Sequence, residues 1–88
     1  MRTRFKEVFA KDLRHIRDKG LLTRIQQAVQ SVENAGDLGE VPHLKKIHGR
    51  ERYYRIRVGD YRIGLALEDN VVVFLRALHR REIYRYFP

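Results

Sequence analysis

The chain has 88 residues, which leaves room for a single domain. Its 19 Lys and Arg against 11 Asp and Glu give a net charge of +8, a surface that seeks polyanions or acidic proteins. With no cysteine, disulfides and thiolate metal sites are excluded, and no apolar run approaches the roughly 20 residues of a membrane span.

Met1-Arg2-Thr3-Arg4 leads into no apolar signal core, so the expected location is the cytoplasm, with no membrane partner. Phe5, Val8, Phe9, Leu13 and Ile16 recur at spacings of three and four. They predict an amphipathic helix that ends near Lys19-Gly20; Met1 to Phe5 can alternatively form a short strand. Thr23 is placed to cap a second helix, on which Ile25, Ala28, Val29, Val32 and Ala35 share a face up to Gly36. So short a connection predicts an antiparallel helical hairpin. Asn34 to Pro42 holds two glycines and a proline and reads as a loop.

Strands follow. Leu44 to Ile47 is a brief candidate, and Arg52 to Val58 and Tyr61 to Leu67 alternate around a Gly59-Asp60 turn. A second turn at Glu68-Asp69-Asn70 leads into Val71 to Leu78, an apolar strand expected inside the sheet. The fold expected is therefore α+β: an N-terminal α-helical hairpin packed on one face of a small, largely antiparallel β-sheet, all within one domain.

Strand parity divides the side chains. Tyr54, Ile56, Val58, Tyr61, Ile63, Leu65 and Leu67 form the core set, which sends Tyr53, Arg55, Arg57, Arg62, Gly64 and Ala66 to the open face. With Val71, Val73 and Leu75 also in the core, Arg76 joins that open face, along with Val72 and Phe74. Gly64 and Ala66 then form the floor of a shallow trough bordered by guanidinium groups, a shape suited to a strand of RNA. The charge agrees: residues 43–88 carry eleven basic and five acidic side chains, against eight and six in residues 1–42. Arg outnumbers Lys fourteen to five, and its planar fork of donors matches phosphate.

The chain closes with His79-Arg80-Arg81-Glu82-Ile83-Tyr84-Arg85-Tyr86-Phe87-Pro88, one imidazole, three cations and two phenols in ten residues. Imidazole titrates near neutral pH, Arg steadies phosphate charge, and Tyr stacks on a base or relays a proton. The plainer reading is a basic tail whose aromatics anchor it to the core. His43 and His48 flank the Lys45-Lys46 pair, a further candidate for contact with RNA, and His15 reads as a solvated helix residue. The four histidines lack the spacing and carboxylate partners of a metal site, and no metal or other cofactor is expected.

Three stretches resemble the RelE family of toxins within the RelE/ParE superfamily: Tyr54-Arg55-Ile56-Arg57-Val58-Gly59-Asp60-Tyr61-Arg62-Ile63, the run from Val71 through His79-Arg80-Arg81-Glu82-Ile83-Tyr84, and more loosely Phe9 to Ile16. The resemblance implies the toxin of a type II toxin-antitoxin system. Such a toxin is an endoribonuclease, or mRNA interferase, that cuts mRNA in the ribosomal A site and so inhibits translation. The cut is made by attack of the substrate's own 2′-hydroxyl on the adjacent phosphate, without a metal. A cognate RelB-like antitoxin holds it inactive. That partner is expected to be acidic and to carry an amphipathic helix, which the apolar groove between the two predicted helices can receive.

Carried over by position, the resemblance gives Arg55, Arg57 and Arg62 the task of holding the phosphate and stabilising its extra charge in the transition state, Arg80 that of stabilising or protonating the leaving oxygen, and Tyr84 that of orienting or deprotonating the attacking hydroxyl. Where the best-studied members have lysines on the central strand, this chain has arginines, which are poor proton carriers. Acid-base work is accordingly expected of Tyr84 or His79. Lys45, Lys46, Tyr53, Arg76 and Arg81 are the expected RNA contacts. Two other readings share the fold: a ParE-like inhibitor of DNA gyrase, and a basic RNA-binding module without catalysis.

Overall fold

Five strands organise the computed structural model, which describes all 88 residues: β1 (Arg2–Phe5), β2 (Leu44–Lys46), β3 (Tyr53–Val58), β4 (Tyr61–Glu68) and β5 (Val71–His79). They form one sheet in the order β1-β5-β4-β3-β2, antiparallel except for β1, which runs parallel to β5. Three helices complete the fold: α1 (Glu7–Arg14), α2 (Lys19–Asn34) and a one-turn α3 (Ile83–Tyr86).

The chain therefore opens on a strand, and the expected N-terminal helical hairpin is corrected. Arg2 to Phe5 pair with Val71 to Phe74 and cover an edge that β5 would otherwise expose. α1 begins only after this strand and packs over β5, while α2 packs over β3. The boundary between the helices also moves. Asp18 precedes Thr23 in the chain and takes the cap position first, its carboxylate accepting the Leu21 N–H at 3.1 Å. Gly20 then lies in the first turn of α2, and the Thr23 hydroxyl donates to the Lys19 carbonyl at 3.0 Å instead of capping.

Phe9, Ile16, Leu21, Ile25 and Val32 from the helical layer meet Ile56, Val58, Ile63, Leu65, Val72 and Phe74 of the sheet in the main core. The rings of Phe5 and Phe9 pack on Phe74, with centroids 5.1 and 5.5 Å from it. On β3 and β4 the alternation matches expectation. On β5 it is reversed, with Val72, Phe74 and Ala77 in the core in place of Val71, Val73 and Leu75. A bulge explains the Arg76 position. Leu65 pairs with Phe74 but its neighbour Gly64 pairs with Arg76, so Leu75 is an extra residue and parity switches after it. Arg76 thus shares the Gly64 face even though the parity of the first half of the strand is opposite to that expected.

Four buried apolar residues stand apart from the main core: Ala66, Val73, Ile83 and Phe87. They mark a second, smaller cluster formed as the tail folds back over the face away from α1 and α2. A Cβ on Gly64 would lie 2.7 Å from the Phe87 ring, so the ring rests directly on the glycine backbone. The trough expected over Gly64 and Ala66 is therefore filled by the protein's own phenylalanine. Ile83 and Phe87 are four residues apart, the spacing that puts two side chains on one side of a helical turn.

Candidate functional site

Phe87 covers the middle of this face, and the cations gather at the end nearest the β3-β4 hairpin. Gly59, with φ of 59°, lets the chain reverse there. Register then sets Arg57 directly opposite Arg62 and Arg55 opposite Gly64, with Lys45 of β2 opposite Arg55. Like charges facing each other across a strand pair destabilise a sheet, so the Arg57-Arg62 pairing opposes folding.

Hydrogen bonds to backbone hold two of these guanidinium groups in place. Arg62 Nη1 donates to the carbonyls of Gly59 at 2.9 Å and Tyr61 at 3.0 Å, and Arg55 Nη1 donates to that of His43 at 3.3 Å. His43 has φ of 63°, which turns the chain just before β2. Arg80 joins the tail to the hairpin: its N–H donates to the Asp60 carbonyl at 2.7 Å, and its guanidinium lies 3.8 Å from the Asp60 carboxylate. Tyr84 projects from α3 with 59% of its surface exposed.

Electrostatics ties the five together. Burial lowers the pKa of Arg62, and Arg55 lowers it next; Arg57 and Arg80 act in the same sense, while Tyr84 opposes them. Arg62 stays a cation at neutral pH, but its charged form is disfavoured by its neighbours. Arg55, Arg57 and Arg62 take part in none of the ion pairs of the structure, which leaves their donors for an external anion. An anion should therefore stabilise the fold. Pyrophosphate at a hundredfold excess over its Kd is expected to add about 2.7 kcal/mol. Thermal unfolding at constant ionic strength checks this, and an equal gain in an Arg55→Gln, Arg57→Gln variant would mean the anion binds elsewhere.

Other residues singled out from the sequence are placed differently. His79 lies opposite Tyr61 and packs edge-on against its ring at 5.7 Å, on the helix side of the sheet. Its Nδ1 accepts the Arg81 N–H at 3.1 Å, which in the neutral ring puts the proton on Nε2. It is not brought to the arginine cluster, because Tyr61 belongs to the core parity and its cross-strand partner shares that face. Arg81 and Lys46 are exposed; Lys46, opposite Tyr54, also shares the helix-side face. Tyr53 is half-buried, its ring edge-on to Phe87 at 5.7 Å.

Arg76, expected as a free cation for RNA, is bound by Asp12 of α1 at 2.8 and 3.0 Å, and that hydrogen bond raises its pKa. Asp12 and Phe87 were not among the candidates. The signal for Asp12 was its place three residues after Phe9 and four before Ile16, beside the apolar stripe.

The chain matches the family described as ParE toxin of type II toxin-antitoxin system, parDE, over residues 3–84. It is 40% identical over 89 residues to Toxin RelE3 of Methanocaldococcus jannaschii, covering 100% of both chains. Among solved structures it is similar to a chain of the RelB-RelE antitoxin-toxin complex from Methanococcus jannaschii. That match has a TM-score of 0.81 and 40% identity, and covers 97% of this chain and 99% of that one. The archaeal RelE-RelB complex from Pyrococcus horikoshii OT3 shares the fold, with a TM-score of 0.73 and 23% identity over 93% of this chain and 97% of the other.

Proposed function

The chain belongs to the RelE/ParE toxins of type II toxin-antitoxin systems and stands with their RelE members, and we propose that it is a ribosome-dependent, metal-independent endoribonuclease that cleaves mRNA. The observation that carries this reading is the gathering of Arg55, Arg57, Arg80 and Tyr84 around Arg62. A phosphodiester in transit to a cyclic phosphate gains negative charge on its equatorial oxygens, and fixed cations stabilise that charge without moving.

In the proposed reaction the ribose 2′-oxygen bonds to phosphorus as the bond to the 5′-oxygen of the next nucleotide breaks. Tyr84, the one side chain of the five that is not a cation, orients the 2′-hydroxyl and relays its proton to solvent by handing on its own phenolic proton as it accepts that of the ribose. Solvent supplies the proton that the departing 5′-oxygen takes up. Arg55, Arg57 and Arg62 hold the phosphate, and Arg80, tethered to Asp60, steadies the departing 5′-oxygen. With His79 on the other side of the sheet, proton transfer rests on Tyr84. Lys45, beside Arg55, extends the cationic strip along the RNA backbone.

The partner in this reading is an acidic, RelB-like antitoxin, supported by the toxin-antitoxin complexes among the similar structures. An apolar groove of about 380 Å³, lined by Phe5, Phe9, Leu13, Leu22, Ile25 and Val29, suits one amphipathic helix of that partner.

Induction in cells, followed by mapping of mRNA 5′ ends against codon frame, tests the function. In-frame cuts are expected, together with no increase in gyrase-dependent DNA breaks. Intact mRNA overturns the reading, and gyrase-dependent breaks in its place would mark a ParE-like activity. Undiminished cutting by a Tyr84→Phe, Arg80→Ala double variant would remove these residues from the site.

A further inference from the structure

Asp12 is only 7% exposed, although it lies on a helix otherwise rich in solvated charge. A buried carboxylate is tolerated when it is paired and hydrogen-bonded, and Asp12 accepts three hydrogen bonds. Oδ2 accepts Arg76 Nε at 2.8 Å and the Ala77 N–H at 2.9 Å, while Oδ1 accepts Arg76 Nη2 at 3.0 Å. The topology explains why a carboxylate is needed. β1 pairs with β5 only as far as Phe74, whose carbonyl accepts the Lys6 N–H, so beyond that point β5 has no strand on this side. Asp12 takes the place of the missing strand at Ala77.

The same carboxylate fixes the Arg76 guanidinium, which lies 5.4 Å from the centroid of the Tyr86 ring. Tyr86 belongs to α3, a helix of four residues that is far too short to persist by itself. Its attachments are Ile83 and Phe87, both buried, and the Tyr86 contact with Arg76. Tyr84 lies between these anchors and makes no hydrogen bond of its own that would fix its direction.

We propose that Asp12 is a positioning residue for RNA cleavage: by fixing Arg76 it locks the Tyr86 side of α3 and so sets where the Tyr84 hydroxyl meets the substrate. This rests on the role given to Tyr84 above. A shift of about 1 Å in a reacting group can cost on the order of a hundredfold in rate, so a loosened α3 should register in kcat.

The test compares Asp12→Asn with wild type, alone and combined with Tyr84→Phe, in ribosome-dependent cleavage of mRNA, alongside hydrogen exchange of the residue 83–86 amides. Asp12→Asn is expected to lower kcat about tenfold with KM changed less than about twofold, and to speed exchange in α3. In the Tyr84→Phe background the same substitution should have almost no further effect, because the group it positions is gone. An equal loss in both backgrounds, or exchange in α3 no faster than wild type, overturns the proposal. If Asp12→Asn does not fold, the exposed link Tyr86→Ala carries the same expectations. A wild-type protein that leaves mRNA intact fails the functional reading first, and this inference with it.

Discussion

Arg62→Ala is expected to lower the rate of mRNA cleavage about 10²–10³-fold while leaving the protein as stable as wild type or more so. The loss of rate follows from its place at the centre of the cluster, with its direction held by the Gly59 and Tyr61 carbonyls. A side chain already aimed at the developing charge costs no reorganisation when the phosphate reacts. The gain in stability follows from the same geometry. Arg62 faces Arg57 directly, and burial together with Arg55 disfavours its charged form, so its removal relieves repulsion that folding otherwise works against. Opposite signs for rate and stability are the mark of a functional cation. Single-turnover cleavage and urea unfolding measure the two quantities, and a variant that cuts within twofold of wild type would displace Arg62 from the centre of the site.

Phe87→Ala is expected to cost about 3–5 kcal/mol if the tail stays docked around the cavity, or to release α3 altogether if undocking is cheaper. Either outcome is large for a chain of 88 residues, whose whole stability is roughly 5–13 kcal/mol. Phe87 is 3% exposed and is the only aromatic ring in a cluster of four buried residues, so its loss removes much of what that cluster buries. Gly64→Ala provides the reciprocal test. The new methyl group would stand 2.7 Å from the ring and push it off the sheet, without altering the tail sequence. Both variants should show a lower urea midpoint and rapid exchange of the residue 83–86 amides. Wild-type behaviour of Gly64→Ala would mean that the ring does not bear on the glycine.

The two variants also show how a site can be legible in part. Alternation along Arg52 to Val58 and Tyr61 to Leu67 places Arg55, Arg57 and Arg62 on one face because each residue rotates the side chain by half a turn, a property of the backbone alone. The reading of β5 by the same rule fails, since one extra residue at Leu75 reverses every position on one side of it. The N-terminal strand was open to two readings because Phe5 fits both the helical spacing that follows and the extended run before it. What decided it was the unpaired edge of β5, some seventy residues away in the chain.

The sequence by itself determined the +8 charge, the order of strands in the second half and the shared face of three arginines. Each of these depends on composition or on local period. The tertiary structure decided which cations remain free: Arg76 meets Asp12 across 64 positions of the chain, whereas Arg55, Arg57 and Arg62 meet no carboxylate. It also decided that the floor between them is closed by Phe87 and that His79 faces the other way. Free charge and open surface are properties of pairs of distant residues, and no local period encodes them.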